Sequence, residues 1–279
     1  MKHKALLSLF AVLMICSAAV AKSPIVTKII SYNIRTLARD GNNSWQYRKH
    51  ATKNMLDKHK PDAFGLQEAK MAHLQYIDSA CPQYARVGVG RDDGKTGGEI
   101  MAIYYNKERY DLLKSGTFWL SETPEKVSRG WDAACYRTTT WVQLRDKESR
   151  QKFFYFNTHL DHKGAEAQAN SIKLILEQIK KIAGKKAPVI LTGDFNITPE
   201  SSKFTPLNEQ MKSARTTAPI TDHKGTYNAY GKIEKAPIID FIFYRGKNVN
   251  CLKFHTLDGD YGAPYISDHY PIEATFYIK

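Results

Sequence analysis

Pro188-Val189-Ile190-Leu191-Thr192-Gly193-Asp194-Phe195-Asn196 reads as a short buried strand that ends on an acid and an amide. The run is too short for a typical helix and is bounded by a proline and a glycine, so a strand is the better reading. Asp194 and Asn196 are two residues apart, and side chains two apart on extended backbone point the same way. The same kind of ending recurs along the chain. Ser31-Tyr32-Asn33-Ile34-Arg35 follows the apolar run from Ile25, and Leu66-Gln67-Glu68 closes Asp62 to Glu68. Asn157-Thr158-His159-Leu160 closes an aromatic run from Phe153, Asp240-Phe241-Ile242-Phe243 begins another, and Ser267-Asp268-His269 precedes Tyr270 to Ile278. Carboxylates, amides and imidazoles gathered at strand ends are how a sheet assembles a reactive site. Each has a bland reading when taken alone: an Asp turn, a helix-starting acid before Ala69-Lys70, a buried Asp–His pair.

Outward from these strands, helices are expected from about Trp45 to His59, stopped by Pro61, and from Met71 to Ala80. A third, Gly164 to Ile182, carries Ile172, Ile175, Leu176, Ile179 and Ile182 as one stripe at helical spacing. Glu99 to Asn106, Thr138 to Arg145 and Lys152 to His159 read as strands rich in aromatic and β-branched residues. The charged turn Arg145 to Arg150 joins two strands with no helix between them. That favours an α/β fold of paired mixed sheets with outer helices over a doubly wound parallel sheet. No repeat or low-complexity linker divides the chain, which suits one large domain.

The chain has 279 residues, 42% of them hydrophobic and 25% charged. Lys2 and Lys4 precede the apolar run Ala5 to Val20, and Ala19-Val20-Ala21 forms a small-x-small cleavage pattern. Residues 1–21 are therefore expected to be a signal peptide, residues 22–279 the folded domain, and the mature protein extracytoplasmic, with no membrane span. Loss of Lys2 and Lys4 lowers the formal charge from +13 to +11. So basic a chain favours polyanions: nucleic acid, anionic headgroups or phosphorylated small molecules. Cys81, Cys135 and Cys251 match no zinc spacing and allow at most one internal disulfide.

The residues themselves suggest chemistry. Asp194 and Asn196 can converge on one phosphate, and Glu68 suits a hard cation, which takes oxygen ligands and few protein carboxylates. His159 can bond a phosphoryl oxygen. Asp240 can orient and polarise His269, which makes an imidazole a general base for water. Asp268 would serve a metal or the leaving group. Asp161 and His162 invite a zinc reading, which the lack of a nearby cysteine or second ligand pair weakens. Gly88-Val89-Gly90-Arg91-Asp92-Asp93-Gly94-Lys95-Thr96 mimics a phosphate loop. Its glycine spacing is wrong and its two aspartates would repel phosphate, so a flexible surface loop is expected.

Taken in order from Asn33 to His269, these motifs resemble the endonuclease/exonuclease/phosphatase superfamily of DNase I-like fold. The resemblance implies a two-sheet β-sandwich flanked by helices, a site at one end of the sheets, and hydrolysis of phosphate esters with Mg²⁺ or Mn²⁺. It implies metal contacts from Asn33, Glu68 and Asp268, and a scissile phosphate held by His159 and Asn196. Water would be oriented by Asp194 and the pair Asp240–His269, with the base role interchangeable between Asp194 and His269. Some relatives place a phosphate-binding side chain at Arg137, beside Tyr136, and Glu99 could pair with His159. Phe118 to Pro124 and Gly130 to Cys135 look like those of a bacterial extracytoplasmic subgroup. The expected partner is a phosphate ester, either nucleic acid or a smaller molecule, acted on by a monomer. The competing reading is a catalytically silent module that captures polyanions or glycans.

Overall fold

The computed structural model describes residues 23–279, so the expected leader lies outside the described residues. Along the first half run β1 (Ile25–Asn33), α1 (Trp45–His59), β2 (Ala63–Gln67), α2 (Met71–Ala80), β3 (Tyr84–Val87), β4 (Ile103–Asn106) and β5 (Tyr110–Trp119). There follow β6 (Thr138–Asp146), β7 (Lys152–His159), α3 (Ala165–Ala183) and β8 (Val189–Asp194). The chain closes with α4 (Thr205–Gln210), β9 (Lys212–Ser213), α5 (Ala214–Thr217), β10 (Asp240–Arg245), β11 (Val249–Thr256) and β12 (Ile272–Ile278).

Two six-stranded sheets form, in the orders β11-β12-β1-β2-β4-β3 and β5-β6-β7-β8-β10-β9. Each holds one parallel pair, β1 with β2 and β7 with β8, linked by α1 and α3 respectively. The remaining pairs are antiparallel, as short connections such as the turn after Asp146 demand. Apolar residues of both sheets meet in a central core that includes Ile29, Val142, Phe153, Ile190, Ile242 and Phe276. A second core lies between the first sheet and α1 and α2, and a third between the second sheet and α3. The result is the expected α/β sandwich in four layers.

Toward one end of the central core the packing turns polar. Asn157 Oδ1 accepts from Gln67 Nε2 at 2.6 Å and from Thr192 Oγ1 at 3.0 Å, while its Nδ2 donates to Leu66 O at 2.8 Å. These bonds tie the two sheets together where their parallel pairs end. Gly65 is required there, since an added Cβ would sit 2.5 Å from Asn157 Cγ. Buried and mutually satisfied polar groups fix relative position in a way that apolar packing does not.

The strands absent from the sequence-based expectation are β3, β5, β9 and β11. All four are sheet edges. An edge strand buries fewer of its residues and carries charge to resist further pairing, which erodes its hydrophobic pattern. In β5, for example, Asp111 and Lys114 interrupt the run. The strand expected from Glu99 begins at Ile103, because Ile100 instead bridges to Ala69 and Gly90. Cys81, Cys135 and Cys251 are all free thiols.

His73 in α2 yields a pH prediction. It is fully buried, and its Nδ1 accepts from Lys70 N at 3.0 Å, reaching back to cap the start of the helix. Burial, reinforced by the Arg48 charge, lowers its pKa from 6.5 to about 3. Above pH 6.5 neither the folded nor the unfolded chain protonates it. Below that, the unfolded chain takes a proton that the folded chain refuses, so stability is lost progressively down to pH 3. At pH 5 the loss should be about 2 kcal/mol, or roughly 5 °C in melting temperature. Gln suits the same capping position without titrating. His73→Gln should therefore show a smaller drop in melting temperature between pH 7 and pH 5, and equal drops would refute the assignment.

Candidate active site

The parallel pairs bring Asn33 beside Gln67 and His159 beside Asp194 at their C-terminal ends. Antiparallel β10 starts at that same end and sets Asp240 opposite Asp194. His269 comes just before β12, which runs antiparallel to β1, so it arrives at this end as well. Six strands thus deliver polar side chains to one place. Glu68, His159, Asp194, Asn196, Asp268 and His269 line a single pocket of about 470 Å³.

Local backbone explains how three of the lining side chains turn inward. Arg35, Glu68 and Asn196 follow the ends of β1, β2 and β8 with φ values of 59°, 59° and 51°. Left-handed backbone costs a residue with a Cβ of the order of 1–2 kcal/mol, and such costs gather at functional sites. The turns are held by side chains of the site itself. Asn33 Oδ1 accepts from Arg35 N at 3.0 Å, Glu68 Oε2 from Thr36 N at 2.8 Å, and Asp194 Oδ1 from Asn196 N at 2.9 Å.

Asn33 Nδ2 donates to both Glu68 Oε1, at 3.0 Å, and Asp194 Oδ2, at 2.9 Å. With its oxygen used by Arg35, Asn33 orients the two carboxylates. Burial raises the Asp194 carboxyl, Asp240 raises it further and His269 offsets part of this, leaving it at about 7. His269 Nδ1 lies 2.8 Å from Asp240 Oδ2, and its Nε2 lies 3.8 Å from Asp194 Oδ2. Burial disfavours the charged ring, but Asp240 and Asp194 outweigh it and lift His269 to about 10. His159 behaves in the opposite way. Burial, with the Arg137 and Arg91 charges, pushes it well below its ordinary range. Asn196 Nδ2 donates to Leu160 O at 3.1 Å and lies 3.0 Å from His159 Nε2. That arrangement makes Nε2 an acceptor and puts the neutral ring's proton on Nδ1.

Asp268 sits across from these groups, 3.5 Å from Arg35 Nη1. Despite burial, the Asn33 hydrogen bond and the His269 charge hold Glu68 below its usual range. Glu68, His159 and Asp194 each offer a ligand atom, all within 4.8 Å of one another. The donor set is mostly carboxylate oxygen, which suits a hard divalent cation better than zinc. Glu68 therefore fits a divalent metal, and Asp268, which lines the same pocket, would bring a second carboxylate.

A second wall of the pocket comes from loops. Arg137 precedes β6 and is buried; its Nε lies 3.3 Å from Asp161 Oδ2, and its Nη2 lies 3.0 Å from His162 Nδ1. Tyr136, its neighbour, is exposed and does not line the pocket. Glu99 pairs with Arg91 at 2.5 Å, so the structure replaces the expected Glu99–His159 pair, and His159 Nδ1 has no hydrogen-bond partner. His162 is exposed and lines the pocket. Cys135 joins Asp161 and His162 within ligand distance, supplying the cysteine that the sequence placed far away. Both Asp161 oxygens are nevertheless occupied by backbone N–H groups of Ala134, Cys135, Lys163 and Gly164. That carboxylate organises two loops instead of waiting for zinc. Arg35, Arg91 and Tyr227 line the pocket without having been singled out in the sequence. The phosphate-loop mimic delivers Arg91 and is tied down rather than flexible, with Asp93 Oδ1 accepting from Lys95 N and Gly97 N.

A family model described as the endonuclease/exonuclease/phosphatase family matches residues 30–269. Among solved structures, an endonuclease/exonuclease/phosphatase from Bacteroides vulgatus is 36% identical, with a TM-score of 0.87 over 91% of this chain and all of the other. A mannosyl-6-phosphatase of Bacteroides thetaiotaomicron is 31% identical, with a TM-score of 0.85 over 90% of this chain and 99% of its own. TDP2 of D. rerio, solved with a single-stranded DNA product, is 20% identical with a TM-score of 0.70 and shares the fold.

Proposed function

This chain belongs to the endonuclease/exonuclease/phosphatase family, and on that premise we propose that it is a Mg²⁺- or Mn²⁺-dependent phosphatase that hydrolyses phosphate monoesters of small polar alcohols, phosphorylated sugars first among them. The observation that carries this reading is the shape and lining of the pocket. Its volume of about 470 Å³ suits one small molecule. Tyr227 is the one aromatic side chain among its lining residues besides the three histidines, so successive bases find no stacking platform there. The likeness to the mannosyl-6-phosphatase supports the same class. The leader-like pattern of the first residues supports an extracytoplasmic setting.

Asp194 is the group placed to take a proton from water. His269, charged between two carboxylates, is better placed to offset negative charge on the phosphoryl oxygens than to accept a proton. Attack forms the water oxygen–phosphorus bond, the phosphorus–oxygen bond to the alcohol breaks, the water proton passes to Asp194, and solvent protonates the departing alkoxide. Asn196 holds the His159 ring beside the phosphoryl group, and Asn33 keeps Glu68 and Asp194 in register. A divalent cation at Glu68 and Asp268 would supply Lewis-acid stabilisation of the same negative charge.

The test is a substrate panel with the chain from residue 22 onward, Mg²⁺ or Mn²⁺, and an EDTA control. Hexose 6-phosphates should be hydrolysed faster than DNA or RNA, with weak dependence on salt and full loss of activity in EDTA. Preferred cleavage of nucleic acid with a steep salt dependence would identify a nuclease instead. Absence of hydrolysis throughout the panel would favour the silent binding module.

A further inference from the structure

We propose that Arg91 and Glu99 form a leaving-group subsite that reads the hydroxyls of a neutral polyol, and so set the selectivity of the active site. The inference rests on the phosphatase reading above and adds which part of the pocket recognises the alcohol.

The two residues are cross-strand neighbours at the base of the 88–99 loop. Arg91 N donates to Glu99 O at 3.0 Å, and the side chains meet with Arg91 Nη1 2.5 Å from Glu99 Oε2. The loop is built to hold them. Asp92 N donates to Gly97 O at 3.2 Å, Gly94 N to Gly90 O at 2.8 Å, and the Trp119 indole to Arg91 O at 2.7 Å. A Cβ on Gly90 would lie 2.2 Å from Gly97 O, so the crossing is as tight as backbone permits. Such a frame spares a bound ligand the cost of ordering its receptor.

The pair leaves hydrogen-bonding capacity unused. Among the described residues, Glu99 Oε1 and Arg91 Nη2 have no hydrogen-bond partner, while the buried Arg91 Nε lies 3.7 Å from Asp92 Oδ1, beyond hydrogen-bond reach. An open carboxylate oxygen beside an open guanidinium donor is an acceptor and a donor side by side, the pattern that a hydroxyl, itself both donor and acceptor, satisfies.

Charge argues for a neutral leaving group over a second phosphate. Each arginine lining the pocket already faces a carboxylate: Arg35 faces Asp40 and Asp268, Arg91 faces Glu99, and Arg137 faces Asp161. A second phosphate near Arg91 would meet the Glu99 carboxylate as well as the guanidinium, whereas a hydroxyl gains from both. Buried hydrogen-bonding groups left unpaired also reject analogues that lack the matching group, by up to about 10⁴-fold.

The experiment compares kcat/KM on mannose 6-phosphate, phenyl phosphate and fructose 1,6-bisphosphate for the wild type, Arg91→Met and Glu99→Gln, with a thermal melt for each protein. The ratio of mannose 6-phosphate to phenyl phosphate should fall at least 30-fold in Arg91→Met and at least 5-fold in Glu99→Gln, while Arg91→Lys recovers part of the ratio. An unchanged ratio, even with lower activity on both substrates, would overturn the proposal by showing that the pair serves the phosphoryl group or the fold. Wild-type preference for the bisphosphate over mannose 6-phosphate would also overturn it. A wild type that cleaves phenyl phosphate and the sugar phosphate equally refutes the subsite alone, whereas one inert toward every ester refutes the phosphatase reading.

Discussion

Asp194→Asn should lower kcat by about 10²- to 10⁴-fold, the range expected for losing a general base, while the protein still folds. Asp194 is 1% exposed, and its two oxygens are committed to Asn33 and Asn196. The amide retains one acceptor oxygen and the same volume. Removing the charge relieves repulsion with Asp240 and forfeits attraction to His269, and these changes oppose each other. The melting temperature should therefore move by only a few degrees. Steady-state kinetics on a hexose 6-phosphate, run beside a thermal melt, decide the matter. A loss of less than tenfold in a folded protein would remove Asp194 from the proton-transfer role.

The second large effect belongs to Asp240 and His269, joined at 2.8 Å. Asp240→Asn and His269→Asn should each reduce kcat/KM by about 10²-fold or more, and the double variant should be little worse than the more damaging single one, as expected of residues that act as a unit. Additive losses would mean that the two act independently. A pH profile offers a separate check. Asp240 and Asp194 lift His269 to about 10 against burial, so the charge on the ring persists across neutral pH and is lost as pH rises through that value. In Asp240→Asn the ring should deprotonate at lower pH, moving the alkaline limb of the kcat/KM profile down by about one unit or more. A limb that stays in place would mean that His269 is not the charged group acting on the phosphoryl oxygens. Stability carries the same sign. What the raised His269 contributes is present below pH 6.5 and declines toward pH 10.

Much of the fold was legible in the chain because its interior strands are nearly pure runs of apolar and β-branched residues, as Val189 to Leu191 and Phe153 to Phe156 show. The strands that escaped notice lie at the sheet margins, where solvent-facing residues such as Asp111 and Lys253 dilute the pattern. The motif residues at strand ends were visible for a related reason. A polar side chain directly after an apolar run stands out, and strand ends are where a sheet can expose it. Arg91 had no such signal. It lies in a glycine-rich loop that mimics a phosphate loop without its spacing, and only the crossing of that loop on itself carries the guanidinium into the pocket.

The sequence by itself determined the alternation of strands and helices, the acids, amides and imidazoles at strand ends, and the family those motifs resemble, because each of these depends on neighbours in the chain. Tertiary structure alone decided which groups meet. The pairing of Glu99 with Arg91 instead of His159, the double hold of Asn33 on Glu68 and Asp194, and the occupation of Asp161 by backbone all join residues from separate segments. Left-handed backbone at Arg35 and Glu68 is likewise unwritten in residue type, since a side chain with a Cβ disfavours it, whereas the asparagine at position 196 tolerates it. Side chains of the site hold it, Asn33 on Arg35, Glu68 on Thr36 and Asp194 on Asn196, and these turns make ordinary strand ends into a pocket.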